Sequence, residues 1–328
     1  MKRSTFITAA ALCAAGVWAA GPAAAQDNYP TRAIRMVVPY AAGGGVDAIA
    51  RQVGRKLSDA LGQPVTVDNR PGAGAIIGLD AVAKAPGDGY TILFTAGSSI
   101  NINPHVYKKL PYDPSKDLQP VAQAGNTPLL LLVNANNPAK TLAEFTAAAK
   151  AKPGSATFGS YGNATTGHLL GTAFAKEAKI DLMHVPFKGA APALTDLMGG
   201  QITAVIADLG SAAGLIKGGK VRALAQTGTK RTAALPDVPT FTESGLPDLA
   251  GMGGWLGIFA PAKAPKPIVD KLGATLNKVL QTPELKASMA ELGYEATGLS
   301  GAKFDELVRA DTARWGKVVK DMGGITLD

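Results

Sequence analysis

Ile34-Arg35-Met36-Val37-Val38-Pro39-Tyr40-Ala41-Ala42-Gly43-Gly44-Gly45-Val46-Asp47 is the stretch on which the reading of this chain turns. An apolar run ends at a proline, crosses three consecutive glycines and enters a helical pattern: strand, tight loop, helix. The first N–H groups of such a helix have no partner within it, and together with the positive end of the helix dipole they favour a small anion. Glycine tolerates positive φ and lets a ligand approach the backbone. A glycine turn between strand and helix can also be purely structural, so the loop alone leaves both readings open.

Beyond the glycines, Ile49, Val53, Leu57 and Leu61 recur every fourth residue, which places them on one helix face, and Gly62 follows as a cap. Val65-Thr66-Val67 reads as a strand, Asn69 to Gly74 as a second glycine loop, and Ile76 to Lys84 as a helix. The turn Pro86-Gly87-Asp88-Gly89 leads to a third strand, Tyr90 to Thr95. Strands joined by helices lie parallel, so this is a βαβαβ unit with right-handed crossovers. From Ala96 to Asn137 prolines interrupt every helical pattern, and only Leu129 to Val133 reads as a strand. A second series then begins, with strands at Ala156 to Ser160, Leu182 to Val185, Thr203 to Ala207 and Val221 to Gln226. Gly251-Met252-Gly253-Gly254 opens a return passage to a strand at Trp255 to Phe259 and a helical tail.

The expected architecture is α/β and two-lobed, each lobe a mainly parallel sheet flanked by helices. Lobe 1 takes residues 26–126 and 254–328, lobe 2 takes 127–253, and the two connecting segments form a hinge. Interlobe clefts at the carboxyl ends of strands are where α/β proteins hold small molecules.

Residues 1–25 read as an export signal: basic Met1-Lys2-Arg3, an apolar run from Phe6 to Ala20, and cleavage after Ala23-Ala24-Ala25. The processed chain is expected to be exported and soluble. The only cysteine, Cys13, lies inside that segment behind Leu12, so lipid attachment and thiol chemistry are not expected. Loss of Lys2 and Arg3 lowers the formal charge from +8 to +6, enough to favour anions. The basic residues are scattered and aromatic residues few, which argues against nucleic acid.

The chain carries none of the catalytic motifs considered below. Val46 and Ala48 break the dinucleotide fingerprint, no phosphate-cradling G-x-x-x-x-G-K-[ST] loop occurs, and no serine sits in a nucleophile elbow. His105, His168 and His184 show no metal spacing. No cofactor and no metal is therefore expected, and no catalytic residue is assigned. The remaining candidates are loops of small polar residues at strand ends. They are Tyr40 to Asp47, Gly72 to Ala75 and Gly97-Ser98-Ser99 in the first lobe, and Ser160 to His168, Phe187-Lys188-Gly189 and Asp208 in the second. Hydroxyls, amides and free N–H groups suit a carboxylate. Each has a structural alternative: Asp47 and Asp208 as helix caps, Lys188 as a solvated charge, His168 as a packing residue, and Tyr40, Phe187 and Trp255 as core.

A series of motifs in fixed order gives a resemblance. It comprises Ile34 to Asp47 with Ala50-Arg51, Gly62-Gln63-Pro64-Val65, Asn69 to Gly74, Asp88-Gly89-Tyr90-Thr91 and Leu110-Pro111-Tyr112-Asp113. It continues through His184 to Gly189, Ala191 to Leu197, Arg222 to Ala225 and Leu235 to Thr240. The chain resembles the Bug family of periplasmic solute-binding receptors, also called the tripartite tricarboxylate transporter substrate-binding family. The resemblance implies a non-enzymatic receptor, expected as a monomer, that closes on a small carboxylate and serves a tripartite tricarboxylate-type permease. By that analogy Tyr40, Gly43, Gly44, Gly45, Gly74 and Ser98 grip the solute from the first lobe. Ser160, Asn163, Thr165, His168, Lys188 and Asp208 do so from the second. Tyr40 stands where phenylalanine is usual, Phe187 where tyrosine is usual, and Ala164 to Gly167 replaces a serine-rich run, which leaves the solute open. A receptor signalling to a membrane kinase and an enzyme using the same cleft remain as alternatives.

Overall fold

The computed structural model describes residues 28–43, 45–187, 189–324 and 326–327. The export segment through Ala25, Gly44 and Lys188 lie outside the described residues. In chain order the elements begin β1 (Ile34–Val38), α1 (Gly45–Leu61), β2 (Val65–Asn69), α2 (Ile76–Ala83), β3 (Thr91–Ala96), α3 (Gly97–Asn101), α4 (Asn103–Val106), α5 (Pro114–Asp117) and β4 (Leu118–Thr127). The second lobe holds β5 (Leu129–Asn134), α6 (Leu142–Ala151), β6 (Ala156–Ser160), α7 (Thr166–Ala178), β7 (Leu182–Pro186), α8 (Ala190–Met198), β8 (Ala204–Asp208), α9 (Leu209–Lys217) and β9 (Val221–Gln226). The return comprises β10 (Gly254–Pro261), α10 (Lys266–Leu280), α11 (Pro283–Glu291), β11 (Glu295–Ala296) and α12 (Ala302–Asp321).

One sheet has six strands in the order β11-β4-β10-β3-β1-β2, the other five in the order β7-β6-β8-β5-β9. The opening stretch forms β1 and α1, with β1 parallel to both β2 and β3, Val37 lying opposite Asp68 on one side and Leu93 on the other. Ile49, Val53 and Leu57 are fully buried on the inner face of α1, as a four-residue spacing requires.

The two-lobed α/β class holds, but the sheets are mixed rather than mainly parallel. The chain leaves the first lobe along β4, passes Pro128 and runs directly into β5, then returns along β10. These bridging strands run against their neighbours: β10 is antiparallel to β3 and β4, and β5 to β8 and β9. The stretch from Ala96 to Asn137, read from sequence as loops around one strand, contains three short helices and the ten-residue strand β4 as well as β5. Pro120 hid β4. It pairs opposite Phe259 where the register with β10 shifts, the kind of irregularity at which a residue without an N–H can sit in a sheet.

Each sheet is covered on both faces. On the first, Leu272, Leu276 and Leu280 of α10 pack with α1 against Met36 and Phe94, and Phe304 of α12 packs with Leu79 and Phe259 on the other side. On the second, α8 and α9 cover one face and α6 and α7 the other. Residues 254–328, expected to lie wholly in the first lobe, do not sort so simply. Trp315 and Val319 near the end of α12, with Ile102 and Val106 of the first lobe, share a core with Phe158, Phe174 and Phe241 of the second.

Candidate functional site

A cavity of about 310 Å³ lies between the lobes, at the ends of β1 and β3 on one side and β6 and β8 on the other. That is the small end of the range of roughly 300–1,000 Å³ usual for ligand pockets. Its wall includes six of the twelve residues expected from sequence: Tyr40, Gly74 and Ser98 from the first lobe, Asn163, Thr165 and Asp208 from the second.

Tyr40 leaves β1 and anchors its hydroxyl 3.2 Å from the Thr95 hydroxyl, where it also accepts the Ala96 N–H at 3.3 Å. Gly74 adopts a φ of 61°, and its carbonyl accepts from the Asn103 amide at 2.9 Å. Thr165 caps α7, accepting the His168 N–H while its hydroxyl donates to Gly162 at 2.8 Å. Asp208 caps α9: one carboxylate oxygen accepts the Ser211 N–H and the other the Ser211 hydroxyl, both at 2.9 Å.

Gly44 and Lys188 fall outside the described residues, and Ser160, His168, Gly43 and Gly45 take other places. Ser160 is fully buried, and its hydroxyl donates to Gly162 at 3.0 Å and lies 2.8 Å from His184 Nε2. His168 accepts the Ala164 N–H on Nδ1 at 3.0 Å, and its ring stacks on His184 with centroids 3.8 Å apart. Neither residue belongs to the cavity wall; both brace the loop that does. Gly43 and Gly45 are exposed at the rim, outside the wall, while Tyr40 and Val46 on either side of them reach it. The Gly43 N–H is already committed, donating to Asp47 at 2.9 Å. Asp47 is itself buried, and accepts from Arg51 and Asn69, each at 2.9 Å. Burial alone would raise its carboxyl, but the bonds from Arg51, Gly43 and Asn69 outweigh that and hold it below the usual range. Asp47 is thus a lock on the glycine loop.

The imidazole pair has a consequence for pH. Burial first, and then the neighbouring His168, push His184 down to about 4, and burial lowers His168 as well. Between the ordinary histidine value of 6.5 and about 4 the unfolded chain therefore binds protons that the folded chain does not. Stability is fully present above 6.5 and is expected to fall as pH drops through that window. Thermal melts from pH 7.5 to 4 should follow this slope, and His184→Asn should flatten it; an unchanged slope in that variant would assign the effect elsewhere.

Sequence reading missed much of the wall. Tyr107, Tyr294, Trp315 and Asp311 all line it, beside Tyr161 of the expected loop. Asp311 did leave a signal: it falls seven residues after Phe304 and four before Trp315, an acid on the buried face of an amphipathic helix. It is 3% exposed, and its carboxylate accepts from Trp255 Nε1 at 2.8 Å, from Asn101 Nδ2 at 2.5 Å and from Arg314. Several donors remain uncommitted. The Ser98 hydroxyl, the Asn163 amide, the Thr166 N–H and the hydroxyls of Tyr107 and Tyr294 bond to no other described residue, though they face one space.

Two α/β lobes enclosing a small cavity with free donors on both walls define a solute-binding receptor of the periplasmic type. Residues 49–324 match the tripartite tricarboxylate transporter family receptor, and the chain belongs to that family. It is 33% identical over 324 residues to the protein BugT of Bordetella pertussis, covering 98% of each chain. Among solved structures, an R. palustris protein with adipate superposes with a TM-score of 0.82 at 34% identity, over 91% of this chain and all of that one. MatC from Rhodopseudomonas palustris, with bound malate, gives 0.76 at 32% identity, over 89% of this chain and all of that one. Members of the family are receptors, not enzymes.

Proposed function

We propose that the protein is exported, loses its leader near Ala25, and captures a small organic acid between its lobes for a tripartite tricarboxylate-type permease. The observation that carries this reading is the set of free donors contributed by both lobes to one cavity: Ser98 from the first, and Asn163 with the start of α7 from the second. A carboxylate bridging them is held by charge-assisted hydrogen bonds, and because each lobe contributes, binding favours closure. The acids present in the related adipate- and malate-bound structures support the same ligand chemistry.

Calorimetry on protein stripped of carried-over solute, against a panel of aliphatic and aromatic mono-, di- and tricarboxylates, should give one-to-one binding of at least one acid. X-ray scattering should show the molecule compacting with that acid. A protein that bound none of the panel would overturn the receptor reading.

A further inference from the structure

We infer, building on the receptor reading, that the solute is an aromatic monocarboxylate carrying a hydrogen-bond donor away from its carboxylate, rather than an aliphatic di- or tricarboxylate. The make-up of the cavity wall sets this choice. Among the described residues it carries no lysine, arginine or histidine, and it carries two acids, Asp208 and Asp311. A second or third carboxylate on the ligand would lie near Asp208 with no cation among the described wall residues to offset the repulsion, and Asp311, already paired with Arg314, offers it no donor.

The two acids are not equivalent. Asp311 is satisfied by donors from three side chains and holds the wall together. Asp208 is only half-buried, and each of its oxygens accepts a single bond, from Ser211. A carboxylate oxygen has room for about two. Enclosing Asp208 under a ligand without giving it a donor would strip water from a charge with nothing in return. A hydroxyl on the ligand supplies that donor. The ligand's own carboxylate is repelled from the same spot, and so turns toward Ser98, Asn163 and the Thr166 N–H.

The body of the ligand is set by the rings. The chain has only seven tyrosines and three tryptophans, yet Tyr40, Tyr107, Tyr161, Tyr294, Trp255 and Trp315 all reach this one cavity. Aromatic walls favour a flat apolar body through stacked and edge-to-face contacts, whereas a flexible hydroxylated chain would leave them poorly covered.

The test compares benzoate, 3- and 4-hydroxybenzoate, adipate and tricarballylate by calorimetry on wild type and Asp208→Asn. Asparagine caps helices as well as aspartate does, so α9 keeps its start, which thermal melts verify. In wild type the better hydroxybenzoate should bind at least about tenfold more tightly than adipate, tricarballylate or benzoate, as a hydrogen bond to a charged group implies. Asp208→Asn should weaken that hydroxybenzoate about tenfold and tighten benzoate, since a repulsive charge is gone. Adipate or tricarballylate binding as tightly as the hydroxybenzoates would overturn the inference and leave the receptor reading intact. So would a substitution that shifts benzoate and hydroxybenzoate equally. Failure of every acid to bind would overturn both.

Discussion

Replacing Asp311 with leucine is expected to destabilise the folded protein by about 3 kcal/mol, the lower part of the range for breaking a buried charge pair by removing one partner. Three donors converge on this carboxylate from three elements: Asn101 of α3, Trp255 of β10 and Arg314 of its own helix. Leucine fills the volume but leaves the Trp255 and Asn101 N–H groups buried without acceptors, and each orphaned donor costs about 1–3 kcal/mol. Arg314 softens the loss, because its side chain is 38% exposed and can turn to water. Urea unfolding should place the midpoint well below wild type with an unchanged slope. Asp311→Asn, which keeps an acceptor oxygen, should recover part of the difference. If leucine cost under about 1 kcal/mol, the carboxylate would not be the tie between these elements that its contacts indicate.

The second large effect concerns the meeting of the lobes. Gly210, at the start of α9, and Gly293, after α11, come so close that a Cβ on Gly210 would lie 2.5 Å from the Leu292 carbonyl oxygen. A Cβ on Gly293 would lie 2.6 Å from the Gly210 nitrogen. Both neighbours are backbone and cannot turn aside. Gly210→Leu should therefore hold the lobes apart and weaken binding of the cognate acid at least about tenfold, since apparent affinity scales with the fraction of closed molecules. Gly210 is exposed and at a helical position, and a loss of ligand-free stability of about 1–3 kcal/mol would mean that the contact is kept and strained rather than opened. Scattering would then report an expanded molecule at saturating ligand. Full compaction of the variant would mean that this contact does not limit closure.

Where the sequence spoke clearly, local periodicity carried the message. The spacing of Ile49, Val53 and Leu57, the glycine turns and the alternation of strands with helices indicated two α/β lobes, and the ordered motifs narrowed this to one receptor family. The strands that link the lobes were harder to see, because Pro120 in β4 is tolerated only through a register shift supplied by β10, more than a hundred residues away. The cavity was legible by loop but not by atom. The triple-glycine turn looked like an anion cradle, yet the Gly43 N–H is taken by Asp47, and the cavity is walled instead by Tyr40 and Val46 beside it. Ser160 and His168 occupy the expected loop outside the cavity wall, Ser160 bonded to Gly162 and beside His184, His168 bonded to Ala164 and stacked on His184. Tyr107, Tyr294 and Trp315 had no local signature, since their position depends on elements brought together only by the fold.

The long terminal helix carries a last implication for how the molecule comes apart. Phe304 is seated in one lobe and Trp315 in the other, with Ile102 and Val106 joining the same apolar mass as Phe174 and Phe241. The halves are therefore not autonomous units strung on two linkers. A fragment cut at the hinges would strip Trp315 and Val319 from this mass and lose burial worth several kcal/mol at about 25 cal/mol per Å². Heat or denaturant should dismantle the protein in one cooperative step. The opening proposed above would then pivot about this shared mass and keep the two jaws in register.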